Sequence, residues 1–153
     1  MFGIFRKKAD DFFSATEKEK IHTAIKQAEQ NTSGEVRVYV ESRCRFVDPI
    51  DRAAEIFYNL KMQATELHNG VLVYVAMKDR QLAIFADEGI YKKAGAEFWK
   101  EEVKHMLAQF NKDNYADGIA TVVSEIGDAL HFHFPYDSQT DKNELPDEIV
   151  FGK

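Results

Sequence analysis

Apolar residues recur at helical spacing in some stretches and in strand-like runs in others, and the order of these stretches sets the fold class. Ser14 and Thr16 each stand three residues before a glutamate, Glu17 and Glu19, the reciprocal pattern that caps a helix start. Ile21, Ala24, Ile25 and Ala28 follow at helical spacing and predict a first helix over 16–30. Asn31 to Gly34 end it, since Asn and Gly tolerate the backbone angles of a helix exit. In EVRVYVE, 35–41, Val36, Val38 and Val40 alternate with Arg37, Tyr39 and Glu41, which predicts a half-buried strand.

Asp48-Pro49 opens a second helix over 49–63, with proline where its missing amide proton does no harm. Its apolar stripe is Ile50, Ala53, Ala54, Phe57 and Leu60. The Asn69-Gly70 turn leads into VLVYVAM, a continuous apolar run that predicts a strand covered on both faces. Lys78-Asp79-Arg80 reverses the chain, and QLAIFA returns with Leu82, Ile84 and Phe85 as candidates for burial. After Asp87-Glu88-Gly89 comes a turn or short helical piece to 94. A third helix then carries Trp99, Val103, Met106, Leu107 and Phe110, and a fourth carries Ile119, Val122, Val123, Ile126 and Leu130. The tail from Pro135 is charged, with Leu145, Ile149 and Phe151 as points that could pin it to the body.

The order is α-β-α-β-β-α-α. A helical crossover makes the first two strands parallel, and the tight turn makes the second and third antiparallel. Helices before, between and after the strands cover both faces of a small mixed sheet of three strands, with room for a short fourth in a segment read as loop.

Composition narrows the function classes. At 153 residues the chain is long enough to bury roughly 70% of its unfolded surface around one core. Its 26 acidic against 20 basic groups argue against nucleic acid as the main partner, because phosphate binding needs concentrated positive charge. One cysteine, Cys44, cannot form an internal disulfide and fits a reducing compartment. MFGIFRKK lacks the basic-then-apolar order of a secretory signal, and no window approaches the ~20 apolar residues of a membrane span, so a cytoplasmic location is expected. Phe2, Ile4 and Phe5 beside Arg6, Lys7 and Lys8 offer a weak contact with an anionic membrane surface. The usual nucleotide, dehydrogenase, zinc-protease, serine-hydrolase and EF-hand patterns are absent, and no nucleotide, flavin or haem is expected.

The topology places three turns on one rim of the sheet: Ser33-Gly34-Glu35, Asn69-Gly70 and Asp87-Glu88-Gly89. Oxygen-rich turns of this kind suit a hard divalent cation, with Asp87, Glu88 and Glu35 as ligand carboxylates. The alternative is that they are turn residues with solvated carboxylates. Cys44 between Arg43 and Arg45 lacks the spacing of a cysteine phosphatase, since position 50 is isoleucine. His131 and His133 could share one side of an extended segment, but no third imidazole accompanies them. His22 and His105 read as helix surface and His68 as loop.

Several pieces resemble the TPM domain family, named for thylakoid-lumen photosystem-repair proteins and a worm membrane modulator of acetylcholine receptors. They are SGEVRVYVE at 33–41, NGVLVYVAMKDRQLAIFADEGI at 69–90, the Trp99 helix, NYADGI at 114–119, HFP at 133–135 and NELPDEIVF at 143–151. The resemblance spans nearly the whole chain. It implies an α/β/α sandwich, with 15–135 as one TPM-like domain, 1–14 as an extension and 136–153 as a tail partly docked on it. It also implies a divalent ion, and an acid-phosphatase activity attributed to plant members; on the oxygen-rich turns, calcium is expected ahead of magnesium. Carried over by motif, Asp87 lies in the acidic turn after the hairpin, Asn69 and Gly70 in the turn before it, and Asp117 in the segment opening the last helix. Asp117 or Asp113 would then approach the rim. Asp79 and Arg80 belong to the opposite turn. Unlike better-known members, the chain is expected to have no signal or anchor, and it carries Asp87-Glu88-Gly89 where many have a glycine-richer turn.

Three readings stay open from the sequence. One is a divalent-metal-binding accessory domain, calcium its expected ion, that engages a protein partner. The second is a metal-assisted acid-phosphatase-like hydrolase with Asp87 and Asp117 as ligands, Glu88 as base, and Arg37 or Lys92 stabilising charge. The third is a metal-independent interaction domain, with the Phe2/Phe5 cluster or the tail as first contact.

Overall fold

Val36, Val38 and Val40 are almost wholly buried along β1 (Glu35–Glu41), the strand around which the sheet is built. The computed structural model describes residues 9–30, 32–136 and 149–152. The membrane-contact candidates Phe2, Ile4 and Phe5, and Leu145 in the tail, lie outside the described residues.

β1 pairs in parallel with β2 (Gly70–Ala76), which turns back antiparallel into β3 (Gln81–Ala86). A three-residue strand, β4 (Ile149–Phe151), lies parallel against the other side of β1, giving the order β3-β2-β1-β4. This is the short fourth strand, and it comes from the tail at two of its expected pinning residues.

The predicted helices are α1 (Ala15–Gln30), α2 (Pro49–Asn59), α4 (Ala96–Phe110) and α5 (Tyr115–His133), with the short piece after the hairpin forming α3 (Glu88–Ala94). Ser14 and Glu17 close the first capping box, each side chain accepting the other's amide proton at 3.1 and 2.9 Å. Helix α2 ends at Asn59 rather than 63, and Lys61 follows with a positive φ of 59°.

The valine face of the sheet packs under α1, α3, α4 and α5, with Ile21, Ile25, Ile90, Met106, Ile119, Val123 and Ile126 in the same buried core. The opposite face, from Leu72, Tyr74 and Ala83, is covered by Ala53, Ile56 and Phe57 of α2 and by Met62. That cover explains one departure from expectation. β1 is buried on both faces, with Arg37 and Glu41 only 5% exposed. Glu41 is compensated from α2, where Arg52 donates to both of its carboxylate oxygens at 2.9 Å, and the Tyr74 hydroxyl donates to it as well. Burial, then the bond to Glu41, pushes the Tyr74 phenol far above its ordinary range.

Helices α1 and α5 run side by side in the same direction. Lys20 pairs with Asp117 near their starts. A Cβ on Gly127 would fall 2.6 Å from that of Ala28 further along. Beyond the end of α1, the Thr32 hydroxyl reaches the Leu130 carbonyl at 3.0 Å. Both helices therefore point toward the rim where β1 and β2 begin.

Candidate metal centre

The strand register brings the three turns to one edge. Glu35 pairs with Gly70 and Val71 with Ala86, so the amides of Glu35 and Asp87 donate to the carbonyls of Asn69 and Gly70, at 3.3 and 2.9 Å. Glu35, Asn69 and Asp87 are buried, and Glu88 is exposed. Asp87 caps α3, its Oδ1 accepting from the Glu88 amide at 2.8 Å, while Oδ2 lies 3.3 Å from His68 Nδ1. The Asn69 side-chain amide donates to Ser33 Oγ at 3.3 Å, but its Oδ1 is buried without a partner among the described residues. Gly89 is held to glycine by close approach, because a Cβ there would sit 2.3 Å from the Leu67 carbonyl oxygen.

Asp113 and Asp117 do not join this edge. Asp113 follows α4, where its carboxylate meets Arg80 of the β2–β3 turn at 3.4 Å and the Tyr115 hydroxyl at 3.2 Å. Asp117 opens α5 and pairs with Lys20 in the first half of α1. Both are at the hairpin end of the sheet, about 20 Å from Asp87 along a six-residue strand. The expectation that α5 would carry one of them to the rim is corrected, because α5 reaches the rim with its other end. His131 and His133 lie on the last turn of α5 rather than on an extended segment, so their side chains diverge. Arg37 points to the α2 face, whereas Lys92 is on α3 across the sheet.

A different cluster arises between α4 and α5. The two helices form a hairpin through the short loop at 111–114, which sets Glu102 and His105 opposite Glu125. Together these residues form a group that could hold a metal ion, one ligand atom from each lying within 4.8 Å of the others. His105 Nδ1 is 3.3 Å from Glu125 Oε1 and 3.6 Å from Glu102 Oε2. Glu102 is 3% exposed, and its Oε1 has no hydrogen-bond partner among the described residues. Burial, followed by the neighbouring Glu125 carboxylate, pushes the Glu102 carboxyl up to about 7. A cavity of about 280 Å³ opens beside the cluster, with His105 and Glu125 at its edge and Gln109, Gly118 and Thr121 in its walls.

From the sequence His105 reads as helix surface, and neither glutamate stands out. The Glu-x-x-His spacing on one helix face was visible, but Glu125 joins only once the hairpin register is known. Among the described residues no helix is long and apolar enough to cross a membrane.

A family model described as the TPM domain matches residues 7–129. No curated protein matches the chain. Among solved structures, the BA42 protein from the psychrophilic bacterium Bizionia argentinensis is 40% identical, with a TM-score of 0.83 over 91% of this chain and 94% of that one. The N-terminal domain of a P. gingivalis protein is 15% identical, with a TM-score of 0.66 over 82% of this chain and 83% of that one. An N-terminal domain from Corynebacterium glutamicum is 14% identical, with a TM-score of 0.60 over 88% and 80%. The last two share the fold.

Proposed function

The chain belongs to the TPM domain family, and on that premise we propose that it is a divalent-metal-binding accessory domain that serves a protein partner. The observation that carries the metal reading is Glu102, a buried carboxylate with one unpartnered oxygen, facing an imidazole and a second carboxylate. Two carboxylates this close repel each other in a poorly solvated place, and a divalent ion would neutralise both.

Calcium at the rim is the second reading, supported by the buried, unpartnered Oδ1 of Asn69 beside Asp87 and Glu35. Its ligands would be Asn69, Asp87, Glu35 and the exposed Glu88, an all-oxygen set of the kind calcium takes. Asp113 and Asp117 are left out of that set by their distance. The same distance weighs against the hydrolase reading, which needs Asp87 and Asp117 at one ion.

The test is a titration of the metal-stripped protein with calcium, magnesium, manganese and zinc while backbone amide signals are followed. Saturable shifts at 102–109 and 118–125 support the helix-hairpin site, and shifts at 33–35, 69–70 and 87–90 support the rim. If no ion gives a saturable shift in either region, the metal reading is wrong.

A further inference from the structure

The metal-binding reading leaves the kind of ion at the α4–α5 cluster open, and the donor set narrows it. We propose that Glu102, His105 and Glu125 bind a zinc-class divalent ion that keeps a coordination position open to the adjacent cavity, where water or a small anion completes the shell. The proposal rests on the metal reading of this cluster and adds the class of ion and its exchangeable ligand.

Ligand type comes first. An imidazole nitrogen suits zinc, iron, nickel or copper, whereas calcium collects six to eight oxygens. The cluster supplies one nitrogen and two carboxylates, too few oxygens for calcium and the usual number of protein ligands for a zinc ion that retains a water. The two negative charges of the carboxylates would balance a divalent ion.

Spacing agrees. Zinc bonds to nitrogen and carboxylate oxygen are about 2.0–2.2 Å, so two ligands at tetrahedral corners stand about 3.3–3.6 Å apart. The separations from His105 Nδ1 are 3.3 Å to Glu125 and 3.6 Å to Glu102. Glu102 is the anchor because it is buried in the helix hairpin, its Oε2 turned toward His105 and its Oε1 without a hydrogen-bond partner among the described residues. His105 and Glu125 are more exposed and sit where the cluster meets the cavity.

The cavity supplies the open position. It holds about 280 Å³, room for several waters or a small anion. Gly118 lets the two helices approach closely beside it, since a Cβ there would fall 2.9 Å from the Gln109 Cβ. The Gln109 amide and the Thr121 hydroxyl give the walls polar groups that can hydrogen-bond a metal-held ligand.

Cobalt(II) is the probe, because its visible absorption reports both coordination and ligand exchange. Metal-stripped full-length protein, with the variants His105→Ala, Glu125→Gln and Glu102→Gln, is titrated with cobalt and then challenged with zinc, calcium and azide. The expected result is one equivalent of cobalt with a four- or five-coordinate spectrum, displaced by equimolar zinc and retained in a hundredfold excess of calcium. Azide should shift that spectrum, and His105→Ala and Glu125→Gln should each weaken cobalt binding by about tenfold or more. His105 and Glu125 are partly exposed, so these two variants keep the test available if Glu102→Gln fails to fold. Calcium displacing cobalt, or His105→Ala binding as wild type does, would overturn the assignment of the ion while leaving a metal site standing. A spectrum indifferent to azide would overturn the open position. Saturable binding of no divalent ion at 102–125 would remove the underlying metal reading of this cluster as well.

Discussion

The Thr32 hydroxyl lies within hydrogen-bond reach of the Phe134 and Leu130 carbonyls, the latter at 3.0 Å, and the same oxygen accepts the Gly34 amide proton at 3.0 Å. One buried side chain thus joins the end of α5 to the turn that starts β1. Replacing it by an isosteric apolar residue leaves the Gly34 amide without its partner. Thr32→Val should therefore lose about 1–3 kcal/mol, read from the denaturant midpoint, with the far-ultraviolet spectrum unchanged.

Metal binding at α4–α5 should be visible as stability. An ion that binds only the folded chain, at a hundred times its dissociation constant, adds about 2.7 kcal/mol and raises Tm by about 5–10 °C for a domain of this size. His105→Ala should abolish that increment, and a chelator should reverse it in wild type. A thermal melt with and without metal checks both.

Alkaline pH should weaken the fold through Tyr74. Its phenol is held above its ordinary value of 10.0 by burial and by the Glu41 bond, whereas the unfolded chain releases that proton near that value. The folded state then binds the extra proton, so stability falls as pH rises past about 10. Burial raises Tyr39 in the same direction. Tyr74→Phe should be less stable near neutrality but lose less over that alkaline window. Urea midpoints across the window for the two proteins measure the difference.

Gly89→Ala should destabilise by about 1–3 kcal/mol, because the added methyl meets the backbone carbonyls of Leu67 and His68 rather than a side chain that can turn away. Its effect should concentrate at the rim. Amide exchange at 67–70 and 87–90 would rise more than in the α4–α5 hairpin.

Much of the fold was readable because its signals are local. The Ser14–Glu17 box, the valine alternation of β1 and the tight turn before Gln81 each need only a few neighbouring residues. β4 has three residues and no pattern of its own, so it exists through pairing with Val38 to Val40. The burial of Glu41 was hidden for a similar reason, since its compensation comes from Arg52 on another element. Site residues were harder still. Asp117 lies at the end of the sheet opposite to the expected one, because its place depends on which way α5 runs beside α1. Glu102 and Glu125 meet only through the register of a helix hairpin.

β4 also serves as a plug. It occupies the hydrogen-bonding edge of β1 with only three residues, and the Gly152 amide adds a bond to the Val40 carbonyl at 2.7 Å. Tethering gives so short a segment a high local concentration, which a free peptide of the same sequence would lack. Cutting the chain before Ile149 would leave β1 at Val38 to Val40 with an unanswered row of donors and acceptors. Such an edge is adhesive toward any other extended chain, including a second copy of itself, so the truncated protein should self-associate in sedimentation at concentrations where the longer chain does so less.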